Sequence, residues 1–226
     1  MQNELLKRTI SSLFLIPIAI FFILIGSFFF ASFLFIIFFV TAFEWLNLNK
    51  KLNLIKILGI LFLSFSLYLV YLFRVDFGFI NFLLIISICV FTDIGGYLFG
   101  KTFKGPKLTK ISPNKTYAGV VGSFLISSLS AIIYLYYIHQ NELFLNSFIN
   151  ENIKTININF LSFSIIIIIS LISQIGDLII SYFKRKANVK DTGKILPGHG
   201  GLLDRIDGMI LVFPISYLIF SIILVQ

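Results

Sequence analysis

Between Arg8 and Glu44 the chain runs for 35 residues without a charge. About 20 apolar residues cross the hydrocarbon core of a bilayer as one helix. A run this long therefore predicts two spans, 10–26 and 29–46, with a tight turn near Gly26-Ser27. A cleaved leader does not fit, because the run is too long and no small-x-small site follows it. Composition agrees: 58% of the 226 residues are apolar and 12% are charged, where a soluble domain carries roughly 25% charged residues. Further spans are predicted at 56–73, 77–99, 117–138, 157–180 and 208–225. The reading is an all-α integral membrane protein, a polytopic helical bundle of about seven transmembrane helices (range six to nine). The single Cys89 lies in an apolar segment, so neither a disulfide framework nor a thiolate metal site is expected.

Basic residues orient the bundle. With the N-terminus inside, the inner segments hold 16 of the 18 lysines and arginines, and only Arg74 and Lys154 fall outside. Cations gather on the cytoplasmic side of membrane proteins, so the expected topology is N-in/C-out. The outer segment 139–156 reads as a plain polar connector.

On that topology four aspartates reach one face. Asp93 and Asp177 lie late in spans running inward, and Asp204 and Asp207 open the last span. Ionisable groups at membrane depth are costly and face an interior or a wet cavity. Asp204 and Asp207, at i and i+3, share a helix face in the first turn, where the helix dipole favours anions. Capping and pairing with Arg205 would explain them singly. Grouped with Asp177 and Asp93, they repel unless a cation is bound, and oxygen ligands with phosphate partners suit Mg²⁺. One or two ions fit, two acting as a clamp on a phosphoryl group.

Gly193, Gly198, Gly200 and Gly201 with Pro197 make a loop whose backbone can approach a ligand closely, a potential phosphate cradle or a flexible turn. His199 within it could bind phosphate or relay a proton. Ser112, Lys115 and Thr116 open the span at 117, where N–H groups beside a lysine form an anion site or an ordinary cap. The formal phosphate-loop match Gly95-x4-Gly100-Lys101-Thr102 lacks the strand that motif requires, so Gly96 and Gly100 read instead as small-residue helix packing.

The segment Ser181-x-Phe183-Lys184-Arg185-x4-Lys190-Asp191-x-Gly193-x2-Leu196-Pro197-x-His199-Gly200-Gly201-Leu202-x-Asp204-Arg205-Ile206-Asp207 resembles the signature of phosphatidate cytidylyltransferases, the CDP-diacylglycerol synthases. The blocks 93–101, 110–116 and 174–185 are similar to that family as well, so the likeness covers about 93–213. Ala118 departs from it, standing where the family often has Glu or Gln. On this basis 1–92 is read as N-terminal membrane spans and 93–226 as the catalytic membrane region.

The resemblance implies that CTP and phosphatidic acid give CDP-diacylglycerol and pyrophosphate, with Mg²⁺ as cofactor. Asp177 and Asp204 would hold the metal, with Asp207 and Asp93 as further ligands. Asp204, Asp177, Asp207, Lys190, Arg205 and His199 are the expected catalytic set. Ser181, Lys184, Arg185, Asp191, Gly200, Gly201, Ser112, Lys115 and Thr116 are the expected substrate contacts. Asp191 alternatively orients Lys190 or Arg205. The implied setting is a bacterial inner (cytoplasmic) membrane, multi-pass, with the site facing the cytoplasm. Membrane lipid and a homodimer are further candidate partners, and nucleic acid is not. Rival readings are a related CTP-dependent lipid cytidylyltransferase or polyprenol kinase, and, more remotely, a transporter, which would place charge near mid-membrane with access from both faces.

Overall fold

The computed structural model describes residues 13, 17–48, 54–109, 111–149, 155–195 and 200–224. These form helices and connecting loops. α1 (17–25) meets α2 (Ser27–Asn47) through Gly26, whose φ of 67° suits a residue without a Cβ. Phe22 stacks on Phe33 with ring centroids 4.9 Å apart, closing the two helices on each other as the expected turn requires. The start of the first predicted span lies outside the described residues.

α3 (Leu54–Phe103) has 50 residues. Straight, at 1.5 Å per residue, it would measure about 75 Å, far longer than a bilayer core. It breaks at Gly78 (φ 77°, ψ 173°) into two arms, 54–77 and 79–103. α4 (Tyr117–Gln140), α5 (Glu142–Ile149), α6 (Phe160–Lys186) and α7 (Leu203–Leu224) complete the order. Five of these helices are long and apolar enough to cross a membrane, and each arm of α3 has the roughly 20 residues that a span needs. The described α1 falls within the first predicted span, 10–26. The protein is an all-helical, multi-pass membrane protein.

Three boundaries differ from expectation. The segment 139–156 contains a helix, α5, that begins directly after the C-cap of α4 at Asn141. α6 continues to Lys186, six residues past the expected end. α7 starts at Leu203, five residues early. The two extensions partner each other, Lys184 of α6 pairing with Asp204 of α7.

Large apolar side chains such as Phe28, Phe35, Leu129 and Phe160 face outward, as a lipid-facing surface requires. Inside, Phe73, Phe82, Phe213 and Phe220 pack edge-on and stacked at the crossing of α3 and α7. The second arm of α3 packs on α4 through glycines: a Cβ on Gly95 would strike the Gly122 carbonyl, and one on Gly96 would lie 2.8 Å from Ser123 Oγ. Polar bonds lock that crossing. Ser123 Oγ donates to the Thr92 carbonyl, and Thr92 Oγ1 donates to Ser170 Oγ on α6, both at 2.8 Å.

Candidate functional site

α2, both arms of α3, α4, α6 and α7 bring their ends together at one pole of the bundle. Lys56 Nζ donates to the Leu46 carbonyl at 2.6 Å, fixing the start of α3 to the end of α2. At the opposite pole Arg74 Nε donates to the Ile23 carbonyl, and Tyr217 Oη donates to Asp76.

On α6, Asp177, Ser181 and Lys184 fall at i, i+4 and i+7 and so share one face. Ser181 Oγ donates to Asp177 Oδ1 at 3.4 Å. Glycine brings the next helix close: a Cβ on Gly176 would lie 2.8 Å from the Asp207 carbonyl and 3.0 Å from Gly208 Cα. α6 and α7 cross there almost backbone to backbone, and the Asp177 and Asp207 carboxyls come within hydrogen-bonding reach of each other. Lys115, from the mouth of α4, pairs with Asp177 Oδ2 at 2.6 Å and also donates to the Gln174 carbonyl. Asp93, on the second arm of α3, stands within the electrostatic reach of Asp177, Lys115 and Arg205.

Asp204 belongs to a second group. Its Oδ1 pairs with Lys184 Nζ at 2.7 Å, and its Oδ2 accepts from Thr192 N at 2.8 Å and Gly201 N at 3.1 Å. Gly200, at φ 83°, sits beside it; a Cβ there would lie 3.2 Å from Asp204 Oδ2 and 3.3 Å from Asp191 Cβ. The four aspartates therefore divide into an Asp177–Asp207 pair, a separately held Asp204 and an outlying Asp93. Among the described residues no group of three or more His, Cys, Asp or Glu is gathered as a metal cluster.

The remaining expected contacts are dispersed. Thr116 Oγ1 caps α4, accepting from Gly119 N at 3.1 Å. The Ser112 carbonyl accepts from Lys115 N, closing the turn that presents Lys115, and Ser112 N is bonded to Thr109 Oγ1. Arg185 Nε donates to the Ile111 carbonyl, tying this loop to α6. Lys190, Asp191 and Arg205 are exposed. His199, with Leu196, Pro197 and Gly198, lies outside the described residues.

Glu44 was not anticipated. It is 2% exposed near the end of α2 and accepts from Thr192 Oγ1, Leu202 N and Leu203 N at 2.8–3.1 Å. Gly193 and Gly201, read from sequence as room for a ligand, make room for this carboxylate: Cβ atoms there would lie 2.5 and 2.6 Å from its oxygens. The available signal was a lone acid inside a helix, the first charge after 35 neutral residues.

Beside the pole lies a cavity of about 360 Å³ between Trp45, the first arm of α3, α6 and α7. Its walls include Ile55, Leu58, Phe62 and Phe183, and Asp207 is its one ionisable lining residue among those described.

The sequence profile of the cytidylyltransferase family matches residues 52–223, from the start of α3 to the end of α7. The chain belongs to the cytidylyltransferase family. Among its curated relatives, a phosphatidate cytidylyltransferase of Rickettsia bellii is 36% identical over 179 residues, 78% of this chain and 73% of the relative. One of Rickettsia felis is 42% identical over 140 residues, 61% of this chain and 58% of the relative. One of Staphylococcus aureus is 41% identical over 125 residues, 55% of this chain and 42% of the relative. The match to the Rickettsia felis protein thus spans little more than half of that relative's length.

In this member of the family the stretch 95–103 is helical. Thr102 Oγ1 donates back to the Leu98 carbonyl at 2.8 Å, and Lys101 Nζ lies 3.3 Å from Tyr97 Oη. No phosphate loop forms there. Thr102→Ala is accordingly expected to lower activity by less than about tenfold. Gly95→Leu, which drives a side chain into the α4 backbone, should reduce the amount of folded protein. Membrane abundance and turnover of both variants check this.

Proposed function

We propose that the chain is a phosphatidate cytidylyltransferase, moving CMP from CTP to phosphatidic acid with release of pyrophosphate. The observation that carries this reading is the juxtaposition of carboxylates and cations with an apolar cavity that ends at Asp207. A substrate with an anionic head and hydrocarbon tails needs both at once, and the named relatives carry that activity in their names.

In the reaction an oxygen of the lipid phosphate attacks the α-phosphorus of CTP, that P–O bond forms, and the α–β anhydride bond breaks. The nucleophile is already anionic, so the protein's work is positioning and charge neutralisation. Lys115, held over Asp177, and the exposed Arg185, Lys190 and Arg205 would meet phosphate oxygens. The abutting carboxyls of Asp177 and Asp207 fit Mg²⁺, which uses one or two carboxylates and completes its shell with water and substrate phosphate. Bound there, it would neutralise charge developing on the phosphates. Asp204, with Lys184 and two N–H groups already on its oxygens, would shape the loop around the site. All of these residues come from one chain, so a homodimer is compatible with the reading but not required by it.

The decisive assay supplies purified protein in detergent with phosphatidic acid and CTP labelled at either the α- or the γ-phosphate. Label from the α position should enter the lipid in the presence of Mg²⁺ and not after chelation. Transfer of the γ label would instead make the protein a lipid kinase, and no transfer would overturn both readings.

The charge asymmetry supports N-in/C-out insertion in a bacterial inner membrane, with the site facing the cytoplasm. A cysteine at position 146 should then react with an impermeant reagent applied to intact cells, and one at position 107 should not. The reverse pattern would overturn the topology.

A further inference from the structure

The three acceptor contacts of Glu44 reach across the molecule, to residues 148, 158 and 159 positions away in sequence. All of them end on the segment that delivers Asp204 and Asp207. Leu202 N donates to Oε1 at 3.0 Å and Leu203 N to Oε2 at 2.8 Å. These are among the N–H groups that a helix start leaves without partners. Thr192 bridges the two carboxylates: its hydroxyl donates to Glu44 at 3.1 Å while its N–H donates to Asp204 at 2.8 Å. Two glycines leave space for the clasp, and the neighbouring Trp45 packs edge-on against Phe183 of α6, with centroids 4.9 Å apart. Glu44 also lies before residue 52, where the family match begins.

We infer that Glu44 is a positioning residue for the transfer reaction. It grips the head of α7 and Thr192 so that Asp204 faces Lys184 and Asp207 faces Asp177. Burying a carboxylate is costly unless its oxygens are satisfied, and here they are satisfied by the backbone that carries the acidic pair. Glu44 touches no substrate; it acts through Thr192, Leu202 and Leu203. A displacement of about 1 Å at reacting groups can cost roughly a hundredfold in rate. Loosening this grip should therefore register in kcat before it registers in binding.

The inference rests on the proposed cytidylyl transfer, so its test has an arm that does not. The full chain in detergent is compared with Glu44→Gln, Glu44→Asp, Thr192→Val and the Glu44→Gln/Thr192→Val double variant. Glutamine keeps the shape but turns an NH₂ group toward N–H donors. It should lower kcat roughly 10- to 100-fold and leave KM for CTP within about threefold. Aspartate, which keeps both oxygens on a shorter stem, should recover part of the loss. Thr192→Val should lower kcat as well, and the double variant should lose less than the product of the two single losses, as for residues in one network. Independently, hydrogen exchange of the amides at 201–208 should be faster in Glu44→Gln than in the wild type. An unchanged kcat, a rise in KM alone, losses that multiply in full, or unchanged exchange would each overturn the inference. A wild-type chain that moves no label from CTP would overturn the functional reading instead, and the exchange comparison would still decide whether Glu44 holds the head of α7.

Discussion

Asp177→Asn is expected to lower kcat/KM by roughly a hundredfold or more, about 2.7 kcal/mol of transition-state stabilisation, with little change in folded protein. Asp177 is 29% exposed and its partner Lys115 is 23% exposed. An ion pair so open contributes about 0–1 kcal/mol to stability, and an amide of the same shape still accepts the bond from Ser181. The chemical loss is larger because asparagine removes the charge from one half of the Asp177–Asp207 pair, which the close crossing of α6 and α7 at Gly176 brings together. It also frees Lys115 from the partner that holds it. Size-exclusion profiles of wild type and variant should coincide while lipid-soluble label falls. A variant keeping more than about a tenth of wild-type kcat/KM, a loss under roughly 1.4 kcal/mol, would remove Asp177 from the reacting centre.

The architecture was legible where the signal is local. Long uncharged runs mark spans whatever surrounds them, and the direction of each span then places Asp93, Asp177, Asp204 and Asp207 at one pole. What escaped depends on distant partners. The break in α3 was expected at residues 74–76, where Arg74 and Asp76 interrupt the apolar run. Both charges are accommodated in the helix, one on the Ile23 carbonyl and the other on Tyr217, and the turn is made by Gly78. The basic run 184–186 read as loop, yet Lys184 finds Asp204 and the helix continues through it. Gly193 and Gly201, read from sequence as room for a ligand, do mark a close approach in the structure. Sequence could not say that a carboxylate from α2 would make it, because nothing near Glu44 in the chain refers to residues 192–203.

Asp204→Asn should behave differently from Asp177→Asn, although the chemical change is the same. Asp204 is 9% exposed and Lys184 is 11% exposed. Removing one member of a buried pair leaves the other charge uncompensated, at a cost of about 3–5 kcal/mol. The amide makes matters worse in either orientation. If its oxygen serves Thr192 N and Gly201 N, its NH₂ faces the Lys184 ammonium; if it is turned, its NH₂ faces two backbone donors. This variant should therefore lose both thermal resistance in detergent and turnover, and the loss of turnover alone would not show what Asp204 does. Adding Lys184→Met removes the stranded cation and fills similar space with an apolar chain. The Lys184→Met/Asp204→Asn protein should regain at least half of the lost stability, since exchanging a whole buried pair for neutral groups is often neutral or better. It should not regain transfer, because the loop around Gly200 would still lack the anion that gathers Thr192 and Gly201. Unfolding temperature and label transfer measured on the same preparations separate the two effects. Recovery of activity in step with stability would mean that the Lys184–Asp204 pair serves folding alone.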